Sequence, residues 1–564
     1  MTTIENRRFA LITALGVVLF LLYQAWQKDF PPRPVATPTA GVAEPAPTDA
    51  RGITDDFPTP SAAQPASAGE KPIASETPAA AVSRIIVRTD LYDAVILTQG
   101  GDLRRLELLG YPVAKKAPDQ NIALLDDQGD RWFVVQSGLT SSAGPIASHK
   151  DVYRAAAESY VLAEGADRLE VPLTLTDANG RTVTKTYTFH RGSYVVDLTH
   201  ALANGAGEPV TANAYVQLWR TSFQAGEEPP FTPTFLGVGL YEQKAAGGAN
   251  YRFRKVSFKD LPEEPVSREQ TGGWIALLQH YFVAAVVPPA GEPASFYAKP
   301  SATRGYLAQY VGAPHTVAAA GNQAFAVQLY LGPKLQQKLG DIAPGLELVI
   351  DYGILTVVAE PLFWLLNWFH KLTGNWGYSI ILLTFAVKLA MFKLSEAQYR
   401  GMAKMKKYAP RIQEIKERHG DDRERLNKAM MELYKKEKFN PLAGCWPLVI
   451  QFPVFIALYW VLLESVELRQ ADFALWLNDL SSADPYYILP VLFGISMFAQ
   501  QKLSGAMAMD PMQQRVMNMM PVMLTVFFAF FPVGLVLYWL VSNLIGIAQQ
   551  WYITRKLTKE GLRQ

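Results

Sequence analysis

From residue 376 onward, long apolar runs alternate with short polar joins. The runs are Trp376–Leu394, Trp446–Leu463, Tyr486–Gln501, Val516–Phe531 and Val533–Ile553. A helix needs about 20 apolar residues to cross hydrocarbon, so these runs read as membrane spans, the fourth being short. Only Pro532 separates the last two, which predicts a tight hairpin. A sixth run, Phe9–Trp26 (FALITALGVVLFLLYQAW), has 18 residues without a charge and follows Arg7-Arg8. A cleaved signal peptide shares this outline. The run is long for one, however, and Gln27-Lys28-Asp29-Phe30 follows it in place of a small-x-small site. An uncleaved anchor over 1–30 is therefore expected, with its basic flank in the cytoplasm.

The period changes between these regions. Leu169, Val171, Leu173 and Leu175 alternate with Glu170, Pro172, Thr174 and Thr176; Asp177-Ala-Asn-Gly180 follows, and TVTKTYTFH alternates again. That pattern predicts a β-hairpin with its turn. IIVRTDLYDAVILTQGGDL (85–103) and RWFVVQSGL (131–139) add short strands. Many such strands predict an extracytoplasmic all-β sandwich over 83–345. Gly237-Val-Gly239 lacks a strand–helix setting for nucleotide binding and reads as a turn. EPLFWLLNWFHKL (360–372), with Trp364, Trp368 and His370, is too short and mixed to span. It predicts an amphipathic interfacial helix within 346–375.

Residues 31–82 hold 11 Pro and 13 Ala in 52 positions, a composition that predicts a flexible tether. The whole chain of 564 residues is 49% hydrophobic and 18% charged, too apolar for an ordinary soluble enzyme. The single cysteine, Cys445, rules out an intrachain disulfide and a cysteine-rich metal site. Charge distribution orients the spans. Loop 393–440 carries 14 Lys/Arg against 8 Asp/Glu, and the tail after Ile553 is basic. Loop 464–486 carries five acids against Arg469 alone. Six spans with both termini inside place the basic loop in the cytoplasm and the β domain outside, as the positive-inside rule requires.

The basic loop predicts a helical hairpin over 395–440. Its first helix, Gln398–Arg418, should break or kink near Pro410. Asp421-x-x-Glu424 reads as a capping box for the second, with Leu426, Met430 and Leu433 on one face. Two roles fit: a solvated loop attracted to anionic lipid, or a docking element for an anionic partner such as ribosomal RNA or a translocating protein.

One charge lies deep in a span. Lys388, in Thr384-Phe-Ala-Val-Lys388, stands six residues from Leu394, about 9 Å at helical rise. It could snorkel to the headgroups. It could instead face a wet cavity lined by the neutral polar groups Thr384, Gln451, Ser542, Asn543 and Gln549. No intramembrane carboxylate is available to partner it, which disfavours a proton relay.

NWGYSIILLTF (375–385), GGWIALLQHYF (272–282), KFNPLAGCWPLVIQFPVFIALYW (438–460), SVELRQADFALWLNDLSSADPYYILP (465–490), DPMQQRVMNMMPV (510–522) and FPVGLVLYWLVSNLIGIAQQ (531–550) resemble the YidC/Oxa/Alb family of membrane protein insertases. The resemblance covers essentially the whole chain, most strongly beyond residue 345. It implies a polytopic α-helical protein of the bacterial inner membrane, with five of six transmembrane helices (376–564) around a hydrophilic groove open to the cytoplasm. Outside, it implies a β-supersandwich shaped like mutarotase domains. The implied function is to insert nascent membrane proteins and help them fold, alone or beside the Sec translocon, with no cofactor and no nucleotide hydrolysis. The family's groove cation, usually arginine, falls on Lys388. Tyr538-Trp539 stands where a Tyr-Tyr pair is expected.

On this reading the groove comprises Lys388, Thr384, Gln451, Ser542, Asn543 and Tyr538. Phe452, Phe455 and Ile456 on one span and Phe527, Phe528 and Phe530 on another form an apolar slide for the substrate helix. The same phenylalanines would also serve as plain lipid-facing groups. Two other classes compete. A transporter would bind an anionic solute at Lys388, although no inverted repeat is visible. A tethered periplasmic enzyme would need chemistry from His149, His190, His200, His280 or His315, none of which stands in acid–base or metal spacing.

Overall fold

The computed structural model describes residues 82–223, 235–245, 247–419, 422–436, 446–504 and 511–559. The expected anchor, and the tether up to residue 81, lie outside these residues.

Residues 84–333 form two large sheets. In the 12-stranded sheet, Val210–Arg220 pairs with Phe133–Ser141 on one side and Tyr306–Gly312 on the other. In the nine-stranded sheet, Asn322–Pro333 lies between Val195–Asn204 and Phe282–Val287. In Tyr92–Leu97 and Arg181–His190 buried positions alternate with more exposed ones, so these strands bury one side, whereas Phe133–Ser141 and Phe282–Val287 are buried on both faces. The predicted hairpin is present: Arg168–Thr176 pairs antiparallel with Arg181–His190. Asp177 Oδ1 accepts from the amides of Asn179 and Arg181 at 2.9 and 2.8 Å, and Gly180 takes φ +78°, the left-handed conformation that glycine tolerates.

Gly237-Val-Gly239 is not a turn. It opens the strand Gly237–Gln243, where a Cβ on Gly239 would sit 3.0 Å from Leu278 and 3.1 Å from Phe253. The glycines serve close packing within a sheet.

A row of buried polar groups crosses the 12-stranded sheet. Gln309 donates to Gln217 at 3.0 Å, Gln217 to Gln136 at 2.7 Å, and Gln136 to Asp102 at 2.9 Å. Lys185, fully buried, donates to the carbonyls of Gly100 and Ser137 at 2.7 and 3.1 Å.

The helical part follows. Helix α1 is Gln336–Ile342, α2 Thr356–Thr373, α3 Trp376–Ala390, α4 Phe392–His419, α5 Arg423–Lys436, α6 Trp446–Glu464, α7 Ile488–Ser504, α8 Pro511–Phe528 and α9 Val533–Lys559. Helix α2 buries Ala359, Phe363 and Leu366 while Val357, Trp364, Trp368 and Leu372 form an exposed apolar face. Tyr378, Leu382, Phe385, Val491, Leu492, Ile495, Met519, Val522, Met523 and Val526 are likewise exposed. Apolar exposure on this scale suits hydrocarbon, not water, as the solvent.

By length and hydropathy, Val533–Leu557 alone would cross a membrane among the described residues; Trp376–Ala390 with Phe392–Gly401 qualifies only as a pair bent by 61°. The apolar stretches Gln451–Glu464, Ile488–Leu503 and Asn518–Phe528 are shorter.

Two local expectations concern α4 and α5. Helix α4 runs unbroken through Pro410, so the break is absent there. The cap of α5 is Asp422, whose Oδ1 accepts from the amides of Glu424 and Arg425, both at 3.1 Å; Asp421 lies outside the described residues. The sequence DDRE offers two carboxylates, and the shorter Asx-type reach selects the second.

The loop between α6 and α7 ties core to β domain. Its acids act largely as internal caps: Asp484 accepts from Trp476 Nε1 at 3.0 Å and from the Leu489 amide at 2.7 Å. Phe473 in this loop seats against Gly377 of α3, and Asn375, which caps α3, donates to the Phe473 carbonyl at 3.0 Å. A Cβ on Gly377 would fall 2.0 Å from the Phe473 ring. Gly377→Ala should therefore destabilise the folded chain by about 1–3 kcal/mol. A lowered melting temperature in detergent, largely restored by adding Phe473→Ala, is the expected result. An unchanged melting temperature would show that the contact is not tight.

Candidate functional site

Lys388 belongs to the last turn of α3. The helix ends at Ala390, and α4 departs after a 61° bend, so Lys388 stands two residues from the break, not six from a span end. The last carbonyls of a helix lack intrahelical donors, and here Gln549 of α9 supplies one, its Nε2 donating to the Lys388 carbonyl at 3.2 Å. The half-buried ammonium of Lys388 reaches Gln451 Oε1 of α6 at 3.5 Å, the outer limit for a hydrogen bond. Among the described residues no carboxylate lies within ion-pair distance of it. Three helices thus meet at Lys388, whose ammonium has the neutral amide of Gln451 as its partner among the described residues.

The other predicted groove residues divide. Thr384 lies one turn before Lys388, buried, with its hydroxyl donating to the Ile380 carbonyl at 2.6 Å. Tyr538 and Ser542, one turn apart on α9, are both buried. The Tyr538 hydroxyl, beside Gln451, has no hydrogen-bond partner of good geometry. Asn543 points elsewhere, donating to Ser496 Oγ of α7 at 3.3 Å. The structure therefore gathers Lys388, Gln451, Gln549 and Tyr538 and leaves Asn543 in a helix-packing contact.

The six apolar candidates also divide. Phe452 is 59% exposed, one residue from Gln451, and Phe527 is 44% exposed. Ile456 is half-buried. Phe455 packs on Trp539 with ring centroids 4.8 Å apart. Phe528 is buried against Phe493 and Trp539, at 5.1 and 5.5 Å. Phe455 and Phe528 are therefore interior packing, with Trp539 at its centre; a hydrophobic run in a membrane span carries no sign of which face is inside. Phe530 is exposed but lies at the α8–α9 tip, in a cavity shared with the β domain.

The residues joining core to β domain escaped the sequence reading. Lys115 pairs with Asp472 and donates to the Asn478 carbonyl at 2.7 Å. Arg469 donates to the Pro112 carbonyl at 2.8 Å. His280 contacts the Leu463 carbonyl at 3.0 Å, and burial lowers its pKa to about 4, so it is neutral at physiological pH. His190 pairs with Asp197 at 2.7 Å and His149 with the Tyr215 hydroxyl at 2.8 Å. Among the described residues no cluster of His, Cys, Asp and Glu could hold a metal ion.

Comparisons with known proteins follow the same division. A family profile described as "60Kd inner membrane protein" matches residues 368–560, and one described as "YidC periplasmic domain" matches residues 84–365. The chain is 47% identical over 566 residues to a membrane protein insertase YidC of Nitrosococcus oceani, covering 99% of this chain and 100% of the relative. It is 46% identical over 562 residues to the corresponding protein of Methylococcus capsulatus, with the same coverage. A solved structure of an active YidC insertase is 18% identical, covering 85% of this chain and 93% of that one, with a TM-score of 0.38.

Proposed function

Because the chain belongs to the YidC family of membrane protein insertases, we propose that it inserts nascent inner-membrane proteins through a polar recess built on Lys388, Gln451 and Gln549. The observation that carries this reading is the Lys388 ammonium, half-buried in an apolar helix and matched among the described residues only by the neutral amide of Gln451. A buried cation without a counter-charge is costly unless water or a transient anion offsets it. The recess opens to the cytoplasm at the α3–α4 bend and admits the hydrophilic tail of a substrate. A groove reaching part way shortens the hydrocarbon path that the tail must cross, and Lys388 attracts acidic tails.

The substrate's apolar helix passes along the exposed flank containing Phe452 and Phe527, with Ile456 at its edge. Burial of that helix in lipid drives its release, without nucleotide hydrolysis. Five core spans and the anchor place both termini in the cytoplasm. The basic hairpin 395–440 and the C-terminal tail serve as a ribosome contact, and the Sec translocon is a partner for larger substrates.

Purified protein in liposomes without nucleotide should insert a small single-span protein, read as protease protection of its translocated tail. Insertion no better than in protein-free liposomes would contradict this reading.

A further inference from the structure

Between the β domain and the outer loop of the core lies a cavity of about 530 Å³. Among the described residues, four cationic side chains line it, Lys115, Arg131, Arg220 and Arg469, against two carboxylates, Asp126 and Asp479. Lys115 and Arg469 are already held by the loop and β-domain contacts described above. Asp479 is occupied too, its Oδ1 accepting from Ser481 N at 2.8 Å, Ser481 Oγ at 2.7 Å and Gln470 N at 3.0 Å.

Arg220 is different. It is 2% exposed, its Nη2 donates to the Phe223 carbonyl at 2.5 Å, and its Nη1 has no partner among the described residues. Among the described residues no carboxylate lies within ion-pair distance of it, and its guanidinium lies 5.1 Å from the Phe133 ring centre. Burial lowers its pKa to about 9, which leaves it a cation at neutral pH. Trp132 also lines the cavity, its ring packed edge-on against Trp219 at 5.4 Å. Arg131, exposed at the rim, stacks over Phe223 at 4.4 Å. The rest of the lining mixes polar groups such as Gln279 and Ser482 with an apolar stretch of Phe223, Phe235, Phe530 and Pro532.

A buried guanidinium with an open donor position matches a phosphate oxygen. Free phosphate satisfies the same donor, but the apolar stretch gives it nothing. That stretch includes Phe530 and Pro532 at the tip of the α8–α9 hairpin, where the core meets the β domain. We propose that this cavity binds the phosphate of an anionic phospholipid from the outer leaflet, with Arg220 and Arg131 on the headgroup and an acyl chain along Phe530. The inference rests on the α8–α9 tip lying at the outer surface of the membrane, but not on insertase activity.

The test uses the full chain in a non-ionic detergent, titrated with phosphatidylglycerol brominated in its acyl chains. The difference in tryptophan quenching between the wild type and Trp132→Phe isolates the cavity. Saturable quenching assigned to Trp132 is expected, at least about tenfold weaker with brominated phosphatidylcholine. Arg220→Gln should weaken phosphatidylglycerol binding about tenfold or more, the scale of one charge-assisted hydrogen bond. Arg220→Lys should retain part of the affinity. Arg131→Gln, at an exposed position that does not threaten folding, should weaken binding several-fold and decides the matter if Arg220→Gln fails to fold. Millimolar inorganic phosphate should displace little lipid. Equal quenching by both lipids, indifference to both arginines, or full displacement by inorganic phosphate would overturn the proposal.

Discussion

Lys388→Leu should reduce translocation of an acidic substrate tail by about 30- to 100-fold in liposomes, while Lys388→Arg should stay within about threefold of wild type. The scale follows from one charge-assisted contact in a partly desolvated recess, about 2–3 kcal/mol, at tenfold per 1.4 kcal/mol. Arginine keeps the charge and adds a planar fork, so bidentate binding of carboxylates can only improve. A tail with its acids neutralised should lose the dependence on Lys388, because the attraction has then gone. Equal rates for Leu, Arg and wild type would make Lys388 a snorkelling residue held by Gln451. The recess would then act through its water alone.

The largest effect on stability is expected far from that recess. Lys185→Met should cost the β domain about 3 kcal/mol or more. Lys185 is fully buried, and burial lowers its pKa while raising that of Asp102; the attraction between the two charges opposes both shifts. Methionine removes that attraction and strips the Gly100 and Ser137 carbonyls of a donor. Removing one partner of a buried pair leaves the other uncompensated. Asp102 would keep Arg104 at 3.0 Å and Gln136, which limits the loss. For a domain of this size the melting temperature should fall by about 6–12 °C, read by calorimetry on the full chain. The double variant Lys185→Met/Asp102→Asn should lose less than the sum of the two single changes. Additive losses would show that the two groups do not interact.

Much of this architecture is legible in the chain, and the exceptions have physical causes. The 169–190 hairpin is readable because period-two alternation and Asx turn chemistry are both local. The apolar runs are equally plain, and the observed helices start and stop within a few residues of them. What local patterns lack is the identity of the far side. Gly237 and Gly239 read as a turn because nothing nearby announces that Leu278 and Phe253 will crowd them. Phe528 and Phe455 read like Phe527 and Phe452 until Trp539 takes its place between helices. Lys388 was expected six residues inside a span, yet the chain bends at Met391, and the stabilising donor, Gln549, lies 161 residues away in sequence. Of the predicted groove, the pairs Thr384/Lys388 and Tyr538/Ser542 were readable as one-turn repeats on single helix faces. The turning of Asn543 toward Ser496 depends on the packing of α7 and could not be read.

Cross-linking tests the central claim most directly. A photoreactive residue would be placed at position 451, beside Lys388, or at position 495 on the outward face of α7, where Ile495 is 60% exposed. Each full-length variant would then meet a substrate arrested during insertion. The recess account predicts adducts to the substrate's hydrophilic tail from position 451 and none from 495. Tail adducts from 495 with none from 451 would contradict it, placing the path of the tail along the lipid-facing surface instead of the polar recess.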